Sequence, residues 1–221
     1  MAEMIETEVD KQPSSERPYA GQDHAERVAL RRQRLINAGI EQFGTLGYQG
    51  TTMRTLTAAS GLTNRYFYES FESLEDLLVA CYCHVMDQFR LRLVAVLERS
   101  PPGLEPTLER GLRAFFEEMR NPHFARITQV EVLGVSPRVD ALYTGYMKDF
   151  GRLIIGVIAT PQQRQALNKR DADILGFALA GAMSAAGACW MRSHYRDPID
   201  RMIGNTLKVL IGTAQQIAAE P

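Results

Sequence analysis

The sequence has few cysteines and lacks the short motifs of the common enzyme classes. Only three of its 221 residues are cysteine, at positions 81, 83 and 189, an odd number without paired spacing. A disulfide framework is therefore not expected, and a reducing cytoplasm is the expected compartment. The phosphate-binding patterns G-x-G-x-x-G and G-x-x-x-x-G-K-S/T, the zinc pattern H-E-x-x-H and the nucleophile pattern G-x-S-x-G are absent. An enzyme is disfavoured, and neither a cofactor nor a metal is expected.

Neither sign of charge is in excess, because 25 Lys and Arg residues face 26 Asp and Glu residues. The net charge of the chain therefore does not indicate a nucleic-acid or membrane partner. The distribution is uneven, since residues 1–23 hold six acidic and two basic residues, whereas residues 24–73 hold six arginines and four glutamates. Residues 1–22 show no sustained periodicity and are expected to form a disordered acidic tail. A modest positive segment follows that tail.

Little in the sequence directs the chain to a membrane. The N-terminal residues MAEMIETEVD are acidic where a signal peptide would be basic, which favours a cytoplasmic protein. The 18 residues from Ile174 to Met191 carry no charge, which is the lower limit of a spanning length. They are rich in Ala and Gly, and Asp173 and Arg192 flank them. We expect a buried helix there and no membrane partner.

Helical periodicity dominates the chain beyond residue 22, and no alternating run indicates a strand. Pro106, Pro122, Pro137 and Pro198 each stand where a first helical turn tolerates proline, and good capping residues precede the last three. The sequence therefore predicts an all-α protein of about nine helices. They are expected near 24–46, 53–59, just after Thr63, 74–99, 105–120, 122–133, 137–159, 169–195 and 198–219.

The strongest functional signal lies in residues 52–71. Thr52 and Thr63 each stand where an N-cap residue begins a short helix, and Gly61 lies in the turn between them. The face of the second helix opposite Phe67 presents arginine, tyrosine and asparagine side chains. Two helices joined in this way are the form that enters a DNA major groove, although a plain helical hairpin has the same spacing.

A specific pattern extends this signal over residues 32–78. It consists of Arg32-Gln33-Arg34-Leu35-Ile36, Phe43, Gly47-Tyr48, Thr51-Thr52, Ala58-Ala59-Ser60-Gly61-Leu62-Thr63, Tyr68, Phe71 and Leu77-Leu78. In these residues the chain resembles the N-terminal domain of the TetR family of transcriptional regulators. The resemblance implies a helix-turn-helix domain over residues 23–73 and an effector-binding and dimerisation domain over residues 74–221. It further implies a repressor that a small-molecule effector releases from a palindromic operator in double-stranded DNA.

The resemblance also implies which side chains contact DNA. Thr51 and Thr52 match a pair that meets phosphate, and Asn64 and Arg65 match positions that face base edges or the adjoining backbone. The full expected set is Arg31, Arg32, Arg34, Thr51, Thr52, Arg54, Thr63, Asn64, Arg65, Tyr66, Tyr68 and Ser70.

The chain departs from the family pattern at Glu69, Ser70 and Leu74, where family members often carry phosphate contacts. A carboxylate at position 69 is expected to oppose a nearby phosphate. The alternative is that Glu69 pairs with Arg65, one helical turn earlier, and holds its guanidinium in place.

Residues of about 80–170 are rich in side chains that could line a cavity, and the resemblance implies an effector pocket among these helices. The candidate lining residues are Phe89, Phe115, Met119, Phe124, Tyr143, Tyr146, Met147 and Phe150. The polar residues that could orient a ligand there are His123, Arg126, Glu131 and Asp140. The same aromatic and methionine spacing is also typical of plain core.

Near the C-terminus, apolar and weakly polar residues recur at alternating spacings of four and three. This heptad pattern favours packing against a partner helix. The preceding segment carries small residues at four-residue steps. The resemblance implies that both helices pair in a homodimer. The expected interface residues are Gly176, Ala180, Ser184, Ile199, Ile203, Thr206, Leu210, Thr213 and Ile217.

Two other functions remain as alternatives. Cys81 and His84 stand three residues apart on one predicted helix and could share a metal, which would make the protein a metal- or thiol-responsive sensor. Free cysteines are more often small buried apolar groups. The second alternative is a small-molecule enzyme, which the missing motifs disfavour.

Overall fold

The computed structural model describes residues 17–219 and the side chains of residues 24–219. This part of the chain contains ten α-helices and one π-helical turn, and it contains no strand. The elements are α1 (Arg17–Thr45), α2 (Met53–Ser60), α3 (Asn64–Tyr68), α4 (Leu74–Glu98), α5 (Leu104–Met119), α6 (Pro122–Arg126), the π-turn (Ile127–Glu131), α7 (Pro137–Ile158), α8 (Pro161–Ala166), α9 (Lys169–Arg192) and α10 (Ile199–Ala219).

Most predicted helices begin where their capping residues stand. The side chains of Thr52, Ser73, Asn121, Ser136 and Asn168 each accept a hydrogen bond from a backbone N–H of the first turn. These bonds satisfy donors that a helix otherwise leaves free at its start. The all-α prediction is confirmed.

Two predicted helices differ from those observed, and one observed helix is additional. α1 begins at Arg17, so residues 17–22 are helical rather than part of a tail, and the rest of the predicted tail lies outside the described residues. The helix predicted over 122–133 is an α-helical turn followed by the π-turn. The short helix α8 was not predicted. It begins with a capping box between Thr160 and Gln163, followed by proline at the first position.

The first four helices enclose a small apolar core. Phe43, Leu56, Phe67 and Leu77, one from each helix, are fully buried there. The far half of α4 leaves this core and packs on α5, so α4 belongs to both halves of the molecule.

Helices α7 and α9 meet backbone to backbone. A Cβ atom on Gly151 would lie 2.5 Å from the carbonyl carbon of Gly176, so only glycine fits on either side of this contact. Ala180 is buried on the same face of α9, and Ser184 donates a hydrogen bond to Gln129 within the chain. The expectation that the small residues of α9 face a partner chain is therefore wrong, because α7 covers them.

The heptad pattern of α10 also finds its partner within the chain. Ile203, Leu210 and Ile217 are at most 5% exposed, and α10 packs on α5. Ile199 packs at the edge of the same core, whereas Thr206 and Thr213 are partly exposed. The expected dimer seam is thus mostly an internal helix contact.

The opposite face of α9 is apolar and exposed. Ile174 is 58% exposed and Phe177 is 39% exposed, and Ala178, Ala182 and Ala185 continue the face toward the C-terminus. Among the described helices α9 is long and apolar enough to cross a membrane by length and composition, and a third of the tested stretch is buried. One side of α9 therefore packs inside the chain and the other does not.

The glycine contact can be tested with a matched pair of substitutions on α7. Gly151→Ala should lower the free energy of unfolding by about 1–3 kcal/mol, because the methyl group forces α7 and α9 apart. Gly145→Ala meets no atom within 4 Å and should raise it by roughly 0.5–1 kcal/mol, since alanine loses less backbone entropy in a helix. Chemical denaturation measures both. Equal stabilities of the two variants would contradict the close contact.

Candidate nucleic-acid interface

Helices α2 and α3 form a compact pair held to α1. α2 ends at Gly61, and α3 starts three residues later. The guanidinium of Arg34 on α1 donates to the carbonyl oxygen of Ser60 at 2.8 Å and so fixes the end of α2. Phe67 is fully buried beneath α3, which leaves the other side of this five-residue helix facing outward.

The outward side of α3 carries the side chains that are predicted to contact base edges. Asn64, Arg65 and Tyr66 are exposed, and Tyr68 is 61% exposed. Thr63 is exposed just before the helix. A short helix with an amide, a guanidinium and two phenols on one surface can read base edges in a major groove.

Several expected phosphate contacts flank this helix. Thr52 and Arg54 are exposed at the start of α2, where backbone N–H groups can also meet an anion. Arg32 is exposed on α1, and its guanidinium lies 4.8 Å from the ring centre of Phe71. The arrangement places positive charge on two sides of α3.

Two of the expected contacts are turned inward. Thr51 is 4% exposed, and its hydroxyl donates to the carbonyl oxygen of Gly47 at 2.7 Å. The hydroxyl of Ser70 is buried and has no hydrogen-bond partner among the described residues. Thr51 therefore holds the turn before α2, and neither hydroxyl is available to DNA in this conformation.

Glu69 pairs with α1, against both expectations for it. Its Oε2 accepts from Nε of Arg31 at 3.1 Å and from Nη2 at 2.9 Å. The same guanidinium lies 4.7 Å from the ring centre of Tyr66. Arg31 thus ties the end of α3 to α1 and supports an exposed aromatic ring, and the carboxylate charge at position 69 is balanced locally.

A second site lies in the larger half of the molecule. A partly open cavity of about 80 Å³ is lined by α4, α5, α6, the π-turn, α7 and α9. Of the sixteen described residues around it, none is charged. They are Tyr82, Met86, Phe89, Leu93, Phe115, Phe124, Thr128, Gln129, Tyr143, Met147, Phe150, Leu153, Ile154, Ala180, Met183 and Ser184.

Two of the eight expected lining residues lie elsewhere. Met119 is buried in the core beside Gly187, and Tyr146 donates its hydroxyl to Asp87 at 3.0 Å. Sequence reasoning also missed the polar side of the cavity, where Ser184 donates to Gln129. The four-residue spacing that includes Ser184 does not indicate this contact, because it depends on how the π-turn and α9 meet.

The polar candidates for ligand binding are also elsewhere. None of His123, Arg126, Glu131 and Asp140 is among the described residues that line the cavity. Asp140 accepts the N–H of Gly134, and the other three lie against the end of α1 or the turn after it. None of the four therefore faces the cavity, and their part in orienting a ligand stays a prediction.

The cysteine at position 81 does not suit a metal site. Its thiol is buried against α1 and donates to the carbonyl oxygen of Ile36 at 3.4 Å. Burial raises the pKa of this thiol far above its ordinary value, so the metal-binding thiolate is disfavoured. Among the described residues, no group of three His, Cys, Asp or Glu side chains could hold a metal ion.

Known proteins share both the local motif and the fold. The family of bacterial regulatory proteins named tetR matches residues 35–81. YezE, an HTH-type transcriptional regulator of Bacillus subtilis, is 23% identical over 154 residues, which cover 65% of this chain and 76% of that protein.

Two solved structures superpose over most of the chain. FadR from Bacillus subtilis in complex with stearoyl-CoA has a TM-score of 0.67 at 17% identity and covers 81% of this chain and 97% of its own. AibR in complex with isovaleryl coenzyme A and operator DNA has a TM-score of 0.61 at 16% identity and covers 82% of this chain and 98% of its own.

The fold and the exposed face of α3 define a helix-turn-helix protein with a larger all-helical second part. The tetR match falls on the helices that build this face. Residues 35–81 match the tetR family of bacterial regulatory proteins, and the chain as a whole is similar in fold to solved structures of TetR family regulators.

The Arg31–Glu69 pair predicts a change in DNA selectivity. Glu69→Gln should lower the ratio of operator to random-duplex affinity about threefold, because α3 loses a tether to α1. Arg31→Gln should have a similar effect, and the double variant should add little, since both act through one contact. Fluorescence anisotropy with both duplexes at one salt concentration measures the ratios.

The exposed neighbour Glu72 supplies the control. Glu72→Gln should leave the ratio unchanged. Additive losses in the double variant would show that Arg31 and Glu69 act separately on DNA.

Proposed function

We propose that the protein is a homodimeric repressor that binds a palindromic operator through α3 and leaves it when the uncharged, apolar group of an effector fills the cavity. The observation that carries the DNA-binding part is the exposed face of α3 with Asn64, Arg65 and Tyr68. Such a regulator acts on the chromosome, so we place it in the cytoplasm. We also propose a boundary after residue 73, where Ser73 caps the helix shared by both domains.

Each side chain of the proposed interface has a chemical role. Arg65 suits a bidentate contact to the O6 and N7 atoms of guanine, and Asn64 suits adenine. Arg32, Thr52 and Arg54 suit phosphate, which sets register and contributes salt-dependent affinity. In this proposal Thr51 and Arg31 hold the backbone and α3 that carry the interface.

The proposed dimer surface is the exposed side of α9 together with α10. A shallow groove between these helices is lined by Ala182 and Ala186 of α9 and by Met202, Thr206 and Val209 of α10. Ile174 and Phe177, nearer the start of α9, are further exposed apolar side chains, and clustered exposed apolar groups are typical of interaction surfaces. Two-fold pairing of this surface would present two copies of α3 to two half-sites.

The proposed effector is an uncharged, largely apolar group. A free carboxylate would lie unpaired in the cavity, because no charged residue is among the described residues lining it. Burial without a partner is costly for an ion. The Ser184 hydroxyl donates its hydrogen to Gln129, and one N–H of the Gln129 amide donates to Thr128, so the second N–H of this amide is left to donate to a carbonyl. Since FadR and AibR were solved with coenzyme A thioesters, an acyl thioester is the first candidate.

The absence of charge around the cavity also bears on the enzyme alternative. Its described lining residues include no Asp, Glu, His, Lys or Cys, the side chains that most often serve as acid, base or nucleophile. Binding without turnover therefore accounts better for this cavity.

The operator prediction is tested by selecting bound sequences from random DNA with purified protein. We expect a palindrome. Arg65→Ala should then weaken the selected site by about 1–3 kcal/mol and flatten the preference among sequences, because a base contact is lost. Arg90→Ala, at an exposed position on α4, is the control and should change neither. Equal weakening of all sequences by Arg65→Ala would assign that residue to phosphate.

The effector prediction is tested with acyl-CoA thioesters from isovaleryl to stearoyl. At least one should raise the thermal midpoint and release the operator, whereas coenzyme A alone and the free acid of the same chain should do neither. Ligands shift a two-state equilibrium only by their differential affinity, so both readouts are needed. An equal response to coenzyme A alone would show that the cavity does not select the acyl group.

A further inference from the structure

Two side chains beside the cavity hold the backbone that leads into the helix-turn-helix. Oε2 of Glu131 accepts the N–H of Tyr48 at 2.6 Å, and Oε1 accepts Nε of Arg126 at 2.7 Å. Nη1 of Arg126 donates to the carbonyl oxygen of Thr45 at 2.6 Å. The Glu131 side chain is only 9% exposed, so water competes little for these charge-assisted bonds.

The backbone at Gly47 leaves room for the side chains of Arg126 and Glu131. Gly47 has a φ of +82°, and a Cβ there would lie 2.6 Å from Nη2 of Arg126 and 3.0 Å from Oε1 of Glu131. Its carbonyl oxygen accepts the hydroxyl of Thr51, the residue before the N-cap of α2. The Arg126–Glu131 pair therefore contributes to fixing where α2 begins.

The pair depends on the π-turn. Arg126 precedes the turn and Glu131 ends it, five positions later. On an α-helix two such positions lie about 140° apart around the axis. A π-helical turn, with its i to i+5 bonding, brings them close to one another. Conversion of this turn to an α-helix would draw the carboxylate away from Tyr48.

The same turn forms part of the cavity wall. Thr128 and Gln129, two of its five residues, line the cavity. Oε1 of Gln129 accepts from Ser184 at 2.8 Å, and its Nε2 donates to Thr128 at 3.2 Å. One five-residue segment thus contacts the cavity on one side and, through Arg126 and Glu131, the helix-turn-helix on the other.

We propose that Arg126 and Glu131 are positioning residues for the helix-turn-helix. In this proposal the π-turn between them transmits to α2 the structural change that follows when a group fills the cavity. The regulatory part of this proposal rests on the proposed function. A group that displaces Gln129 moves the π-turn, Glu131 leaves the Tyr48 N–H, and the segment from Thr45 to Thr52 loses its support. Close-packed elements change between discrete arrangements rather than deforming gradually. A change from a π-helical to an α-helical turn is of this kind and so suits a switch.

The positioning role is tested by amide hydrogen exchange, which needs neither operator nor ligand. Glu131→Gln keeps the shape but removes the charge, so amides of residues 45–52 should exchange about tenfold faster. Glu118→Gln removes the carboxylate of another ion pair, with Arg92 on α4, and should leave that segment unchanged. Faster exchange in 45–52 and α10 alike, or no change in 45–52, would overturn the local role.

The link to the cavity is tested by filling it through mutation. Ala180→Leu places three more carbon atoms in the cavity and should speed exchange in residues 45–52 severalfold. Ala141→Leu, at an exposed position on α7, is the matched control and should have no effect. In the Glu131→Gln background Ala180→Leu should add little. Unchanged exchange with Ala180→Leu, or a full additional increase in the double variant, would overturn the proposed link.

These outcomes are separate from those of the proposed function. A chain that fails to select a palindrome or to respond to thioesters can still show the exchange changes in residues 45–52. Conversely, a repressor that responds to a thioester without those changes uses another route between its two sites.

Discussion

The burial of α4 in two cores at once is the constraint on which the molecule depends. Near its start Leu77 and Leu78 are fully buried in the core that supports α3. Further along, Met86, Phe89 and Leu93 line the cavity. A single continuous helix cannot tilt at one end without moving the other, because its backbone hydrogen bonds keep it stiff. The two halves are therefore joined by shared core as well as by the polar contacts of Arg126 and Glu131.

Much of the fold was predictable because the relevant signals are local. Capping side chains and prolines in first turns act within four residues, so Asn121 and Ser136 announce their helices without any knowledge of tertiary structure. The π-turn has no such local signal, since its Arg126–Glu131 ion pair binds the backbone near Tyr48, which is distant in the sequence. The heptad pattern of α10 correctly indicated a partner helix, but periodicity cannot tell α5 of the same chain from a helix of another chain.

The same distinction applies to the site. The outward face of α3 follows from the position of Phe67, because burial of one side of a short helix exposes the other. The roles of Thr51, Ser70 and Glu69 could not be obtained in this way. The partner of Glu69 stands 38 residues away on α1, whereas the local sequence indicated only repulsion from a nearby phosphate or an ion pair with Arg65. Aromatic composition indicated the cavity, whereas its polar contacts depend on the meeting of the π-turn and α9.

Helix α9 is apolar on two opposite sides, which has a consequence for the lone chain. One side is covered by α7, while Ile174, Phe177 and a row of alanines meet water unless a second chain covers them. In the proposed dimer this surface is buried only after two molecules meet. The folded state then gains stability by mass action, in proportion to the logarithm of protein concentration. A regulator made in few copies per cell is thereby least stable when it is most dilute, and newly made chains need a partner before this helix is fully covered.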